Sequence, residues 1–201
     1  MLSPSIGGCD FVADPGNSAL VQPVFWTPQT DPSALIIQGG PNPDGGLSLR
    51  AEDLLRRAVV QRAGAPLRIE VRGQSYDITF GNAGDEQSLG AFVIFDEITP
   101  DRLFAIARFW EAMVGKRVPP DPRMTSQRRA RARQMLRAVD ARHAGATYRA
   151  VAEQIFPAHK HDAKTWVESA IREATIRLVR DGLKLVRGGY RTLLRRPRRS
   201  R

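Results

Sequence analysis

A chain of 201 residues with 42% apolar and 26% charged residues has enough hydrophobic sequence to bury a core. That excludes global disorder and leaves room for one large or two small domains. The net charge of +10 is unevenly placed: residues 1–116 carry 9 Lys+Arg and 14 Asp+Glu, net −5, while residues 117–201 carry 22 and 7, net +15.

The basic half calls for a polyanionic partner, nucleic acid ahead of an anionic membrane surface. The single cysteine, Cys9, excludes an internal disulfide and a thiolate-rich metal site. No basic region followed by an apolar run opens the chain, and no stretch approaches about 18 apolar residues. The expected compartment is the cytoplasm, with no membrane span.

Residues 1–33 are broken by Pro4, Pro15, Pro23, Pro28 and Pro32, so irregular or extended chain is expected, with Val24-Phe25-Trp26 as an apolar anchor. Ala34 to Ile37 reads as a short strand. The Gly/Pro cluster Gly39 to Gly46 lacks the Lys-Ser/Thr of a phosphate loop and reads as a hairpin loop, with Ser48-Leu49 returning. Ala51 to Val59 permits a short helix. Leu67 to Val71 and Tyr76 to Phe80 alternate apolar and polar residues around Gly73, the pattern of a hairpin. Gly90 to Phe95 reads as a strand buried on both faces.

Thr99-Pro100-Asp101 opens a helix, with Thr as N-cap, Pro in the first turn and an acid suited to the dipole. Leu103, Ile106, Ala107, Trp110, Met113 and Val114 give it one apolar, core-facing stripe, and Gly115 ends it. Val118 to Pro122 holds three prolines and coincides with the change of charge, so it reads as a linker.

The next helix runs from Thr125 or Ser126 to about His143, with Ala132, Met135, Leu136 and Val139 as its apolar line. Arg128, Arg129, Arg131, Arg133 and Arg137 crowd it without an acid until Asp140. On an isolated helix such neighbours repel by about 0.2–0.5 kcal/mol per pair, and a phosphate partner explains the excess better than solubility does.

Thr147 caps a short helix, Tyr148 to Phe156, in which Ala152 suits close packing and which Pro157 ends. The turn holds His159, His161 and Asp162. Zinc needs about four converging ligands, so a solvated turn with Asp162 as N-cap outweighs a metal site. A long helix is expected from about Ala163 toward Arg187, with Lys164, Thr165, Glu168, Ser169, Arg172 and Thr175 on its early polar side. Val167, Ile171, Ala174, Leu178 and Leu185 form one buried stripe, and Ile176, Val179, Leu183 and Val186 a neighbouring one. Trp166 reads as core rather than as a base-stacking ring. Gly182 kinks or splits the helix, Gly188-Gly189 closes it, and Arg195 to Arg201 is a basic tail.

A short helix, a turn and a longer basic helix is the layout of a helix-turn-helix. The runs Thr147 to Phe156, Ile176 to Gly182 and Val186 to Leu194 also resemble a proteobacterial DNA-binding domain. That domain occurs in the RovC-type regulator of type VI secretion, and in activators and antiactivators controlling excision and transfer of integrative and conjugative elements. The resemblance covers roughly residues 100–195. It implies a variant helix-turn-helix in a transcriptional regulator, an activator of mobile-element or secretion genes, or an antiactivator that binds another regulator instead of DNA. It also implies that Gly7 to Pro15 is sequence that follows a further N-terminal segment.

The expected fold is α+β: a small, mostly antiparallel sheet in residues 1–98 and an all-α helix-turn-helix domain with a basic tail in residues 99–201. The residues expected to meet DNA are Arg128, Arg129 and Arg133; Thr147, Tyr148 and Arg149; Lys160 in the turn; and Lys164, Thr165, Ser169, Arg172, Arg177 and Arg180 on the long helix. Arg172 is placed to read bases, and Arg177 and Arg180 to hold phosphates. Double-stranded DNA is the expected partner, with another regulator or RNA polymerase beside it. A homo-oligomer is the usual helix-turn-helix solution, although no heptad marks one here. No cofactor, metal or catalytic residue is expected: Asp140, Glu153, Asp162, Glu168, Glu173 and Asp181 read as caps and surface charges.

Overall fold

Alternation of apolar and polar residues builds the sheet of the first unit. In the computed structural model, which describes residues 11–18, 20–41, 49–60, 66–81, 88–159 and 166–197, strand β5 (Leu67–Val71) pairs antiparallel with β6 (Gln74–Phe80). Arg72 and Gly73 join them with φ of 53° and 74°, the two-residue, left-handed turn that suits twisted hairpins. Leu67, Ile69 and Val71 point inward with Tyr76 and Ile78, while Glu70 points out.

The sheet runs β4-β5-β6-β3-β7, with β3 (Leu35–Gly40), β4 (Ala58–Val60) and β7 (Ser88–Phe92). Only β3 and β6 run parallel; the other three pairings are antiparallel, so the sheet is mostly antiparallel as expected. The helix expected after Arg50 is α1 (Ala51–Leu55), which yields to β4. The hairpin loop at Gly39 to Gly46 lies partly outside the described residues. Of the expected return at Ser48-Leu49, Ser48 lies outside the described residues, and Leu49 belongs to no strand although its carbonyl accepts from the Leu89 N–H of β7 at 2.8 Å; β3 ends at Gly40 between β6 and β7.

The anchor at Val24-Phe25-Trp26 holds. Phe25 is buried, β2 (Phe25–Trp26) pairs with β1 (Phe11–Val12), and Phe11 meets Trp26 edge-on at 5.3 Å. Arg68 ties this segment to the sheet. Its Nε and Nη2 donate to Asp77 at 2.6 and 2.8 Å, Nη2 also donates to the Val24 carbonyl at 3.1 Å, and the guanidinium lies 4.8 Å from the centre of the Phe25 ring. The hydrogen bonds to Asp77 hold the Arg68 pKa above its ordinary value against the opposing effect of burial, and the carboxylate charge adds to them.

Two expectations for this unit change. Strand β7 is not buried on both faces: it forms one edge of the sheet, and Gly90, Ala91 and Phe92 are exposed. Helix α2 (Thr99–Met113) buries Phe109 and Ala112, with Ala105, Ile106 and Met113 beside them, while Leu103, Trp110 and Val114 stay exposed. The sheet-facing side is therefore rotated from the expected stripe, because α2 also buries two arginines. Arg102 pairs with Asp96 at 2.8 Å and donates to the Pro28 carbonyl. Arg108 donates to the Pro119 carbonyl at 2.6 Å and to Gln74 at 3.3 Å. By packing, α2 stands with the sheet although its sequence groups it with the basic helices, and the two compact units divide between Pro120 and Asp121.

The second unit is helical. Helix α3 (Ser126–His143) starts where the Thr125 hydroxyl accepts from the Arg128 backbone N–H, and Gly145, at φ 85°, turns the chain after it. Helix α4 (Tyr148–Ile155) is capped by Thr147 and buries Val151 and Ala152 completely. Helix α5 (Ala170–Val186) ends at Gly188, whose φ of 111° favours glycine. The core is Met135, Ala138, Val139, Val151, Leu178 and Val179. Ala138 takes the place expected of Leu136, which is half exposed.

Helix α5 begins at Ala170, not near Ala163, after a 3₁₀ turn at Trp166–Glu168. Thr175, expected on the polar side, is fully buried, and its hydroxyl donates to the Ile171 carbonyl at 2.8 Å. Val167 is exposed rather than part of the core. Gly182 does not split the helix, which runs unbroken from Ala170 to Val186. It is the point where α5 meets α3: a Cβ there would lie 2.7 Å from Val139 Cγ2 and 2.9 Å from the Met135 carbonyl oxygen.

Intrinsic propensity favours alanine over glycine in a helix by about 1 kcal/mol. The close approach at Gly182 reverses the sign. Gly182→Ala is expected to lower unfolding stability by about 1–3 kcal/mol in urea titration, because backbone has to move. An unchanged or raised midpoint would show that α3 and α5 are not in this contact.

Candidate nucleic-acid interface

The arginines of the second unit divide into two sets. One set holds the unit together. Arg123 forks onto Asp121, with Nε at 2.9 Å and Nη2 at 2.7 Å from Oδ2, and its Nη1 donates to the Leu194 carbonyl at 3.1 Å. Arg128 donates to the carbonyls of Arg123 at 2.6 Å and Thr192 at 2.8 Å, tying the start of α3 to the 3₁₀ turn Gly189–Leu193. Arg131 pairs with Asp181 of α5 at 3.2 Å. Arg142 donates to the Ala146 carbonyl and lies 4.5 Å from the centre of the Tyr148 ring. The repulsion expected along α3 is relieved in this way, since Arg128, Arg131 and Arg142 are engaged by carbonyl or carboxylate oxygens.

The other set faces solvent. Arg129, Arg133 and Arg137 recur at four-residue steps on the outer side of α3, and none makes an ion pair among the described residues. On α5, Arg177, Arg180 and Lys184 recur at three- and four-residue steps, continued by Arg187 at the C-cap, and all four are exposed. Arg180 also meets Asp181 at 3.3 Å, an exposed pair of little energetic weight. Arg180, Lys184 and Arg187 line a groove of about 660 Å³ together with Tyr148 of α4 and Ile176, Val179 and Leu183 of α5. The groove has an apolar floor and a rim of cations, a shape and charge suited to a sugar-phosphate backbone.

The expected contact residues are placed as follows. Arg129, Arg133, Arg177 and Arg180 are exposed cations, and Tyr148 and Arg180 share the groove. Arg128 is committed to backbone carbonyls. Thr147 and Ser169 are N-caps, accepting from Ala150 N at 3.2 Å and Ile171 N at 3.1 Å. Arg149 pairs with Glu153 one turn on at 3.0 Å, and Arg172 with Glu173 at 2.9 Å in the first turn of α5. Lys160, Lys164 and Thr165 lie outside the described residues. Lys184 and Arg187 were not among the expected residues, although their spacing from Arg177 and Arg180 was there to be read. Among the described residues no group of three His, Cys, Asp or Glu side chains converges to hold a metal, and no helix is long and apolar enough to cross a membrane.

A family model described as a type VI secretion system transcription factor, DNA-binding domain (the RovC DNA-binding domain) matches residues 92–195, just over half of the chain. The chain belongs to this family. It carries the DNA-binding domain of a transcription factor, a domain whose partner is DNA. The match takes in α2 as well as α3, α4 and α5. Comparisons with curated proteins and with solved structures returned no match.

The two sets of arginines separate by experiment. Arg128→Ala is expected to lower stability by about 1–3 kcal/mol, since carbonyls near both ends of the unit lose their donor. Arg129→Ala is expected to leave stability within about 0.5 kcal/mol and to weaken DNA binding. Thermal melts and fluorescence anisotropy on the same two proteins check this; equal effects on both readouts would refute the division.

Proposed function

We propose that this RovC-family chain regulates transcription by placing α5 in the DNA major groove, with α4 and α5 forming a variant helix-turn-helix braced by α3. The observation that carries this reading is the row Arg177, Arg180, Lys184 and Arg187 on the solvent side of α5 beside α4. In this arrangement Arg172, in the first turn of α5, reads base edges, where an arginine pairs bidentately with guanine. The cations further along α5 hold phosphates. The connection between α4 and α5 spans residues 156–169, far longer than the usual three or four residues, which is the variant part of the design. The regulator acts as an activator, through RNA polymerase or a second regulator, on genes of mobile-element transfer or secretion. It performs no catalysis.

A second reading has its own support. Glu173 and Asp181 lie on the cation-bearing side of α5 and pair with Arg172 and Arg180, while Val186 and Leu136 are half exposed. Such a mixed surface suits an antiactivator that captures another regulator. That protein would show little affinity for duplex DNA at low salt.

Anisotropy titrations over a range of salt distinguish the two. The DNA-binding reading expects affinity to fall steeply with salt, and Arg177→Ala and Arg187→Ala each to lower the salt slope by about 1 without changing sequence preference. Arg172→Ala is expected to cost about 1–3 kcal/mol on the preferred site and to relax preference there. Duplex binding absent at low salt would refute it.

A further inference from the structure

The charged residues at the end of α5 and beyond it are almost all cations. From Ile176 to Arg201 the sequence holds ten Lys and Arg and a single acid, Asp181. The facing stretch of α3 is similar, with no acid between Arg123 and Asp140. Asp181 therefore stands alone where two basic helices meet, and Arg177 and Lys184 lie one turn to either side of it on α5.

The backbone fixes its place. Gly182, the next residue, lies against Met135 and Val139 of α3, which keeps Asp181 at the seam between the helices. The carboxylate faces both ways. Its Oδ2 accepts from Arg131 Nη2 of α3 at 3.2 Å, and its Oδ1 accepts from Arg180 Nη2 and Nε at 3.3 and 3.4 Å. The Arg131 and Arg180 side chains are 58% and 71% exposed, whereas Asp181 is 34% exposed. The acid is thus the fixed partner, and the arginines are the ones with room to turn away.

Pairs as exposed as these add little to stability, and aspartate is a poor residue for a helix interior. Against a polyanion the same carboxylate has a larger effect. It offers Arg180 an acceptor that a phosphate has to displace, and it sets a negative charge inside the row that phosphates approach. We propose that Asp181 holds Arg180 back from DNA and so limits the sequence-independent affinity of the helical unit. It is a positioning residue that acts through Arg180, and the inference rests on the DNA-binding reading of α5. Arg172 lies nine residues away along the helix. That is about 13 Å, beyond the ~8 Å screening length at physiological salt, so base readout is left alone. A weaker hold on random DNA leaves more of the protein free for its own site.

Fluorescence anisotropy with a random-sequence duplex at low salt tests this. Asp181→Asn keeps an oxygen for Arg131 and removes the charge. It is expected to bind about three- to tenfold more tightly and to raise the salt slope by about 1. Asp181→Glu, which keeps the charge, is expected to bind as the wild type does. Arg131→Ala breaks the link to α3 but leaves the carboxylate to Arg180, and is expected to bind more weakly. In an Arg180→Ala background the gain from Asp181→Asn is expected to fall by at least about half. A wild type that ignores duplex DNA refutes the DNA-binding reading and this inference with it. Where the wild type binds, three results overturn the inference alone. They are an Asp181→Asn protein that binds no tighter, an Arg131→Ala protein that binds tighter (the sign of a purely structural role), and an equal gain with and without Arg180.

Discussion

The helical unit depends on how closely α5 approaches α3. At Gly182 the α5 backbone lies against the Met135 carbonyl and the Val139 methyl, closer than any side chain permits. That approach sets the depth at which Leu178 and Val179 enter the core beside Val151. It also turns Thr175 fully inside, where its hydroxyl donates to the helix's own Ile171 carbonyl. With one side of α5 committed in this way, the opposite side has to be the one that carries Arg177, Arg180 and Lys184.

Charge in this unit does two jobs, and net charge alone does not separate them. An arginine whose guanidinium donates to carbonyls, as Arg128 and Arg142 do, contributes to the sum but offers few free donors to a phosphate. An arginine in solvent, as at Arg129, Arg133 or Arg177, is the one able to displace counterions from DNA. The inward arginines brace the chain ends around α3, so the outward ones are presented from a fixed scaffold, which binding rewards by lowering the ordering cost.

The first unit follows a different economy. Its core is a hairpin and a central β3 strand covered by α2, with Arg102 and Arg108 tying α2 to neighbouring carbonyls. These buried arginines rotate α2 away from the most apolar arrangement of its surface. Part of its hydrophobic side, at Leu103 and Trp110, is left exposed.

The sequence by itself determined what depends on near neighbours. The β5–β6 hairpin follows from alternation around Gly73, the limits of α3 and the start of α4 from Thr125 and Thr147, the end of α5 from Gly188, and the division of charge and the family motifs from a plain reading of the chain. Tertiary structure decided what depends on residues far apart. Periodicity told that α2 has an apolar side but not that buried arginines would turn it, so Phe109 and Ala112 replaced Trp110 and Leu103 in the core. The late start of α5 and the capping role of Ser169 rest on a long connection whose composition resembles a helical first turn. Arg128 finds its acceptor at Thr192, and Gly182 its neighbour at Val139. Long side chains and close backbone approaches draw on atoms that only the folded chain brings within reach.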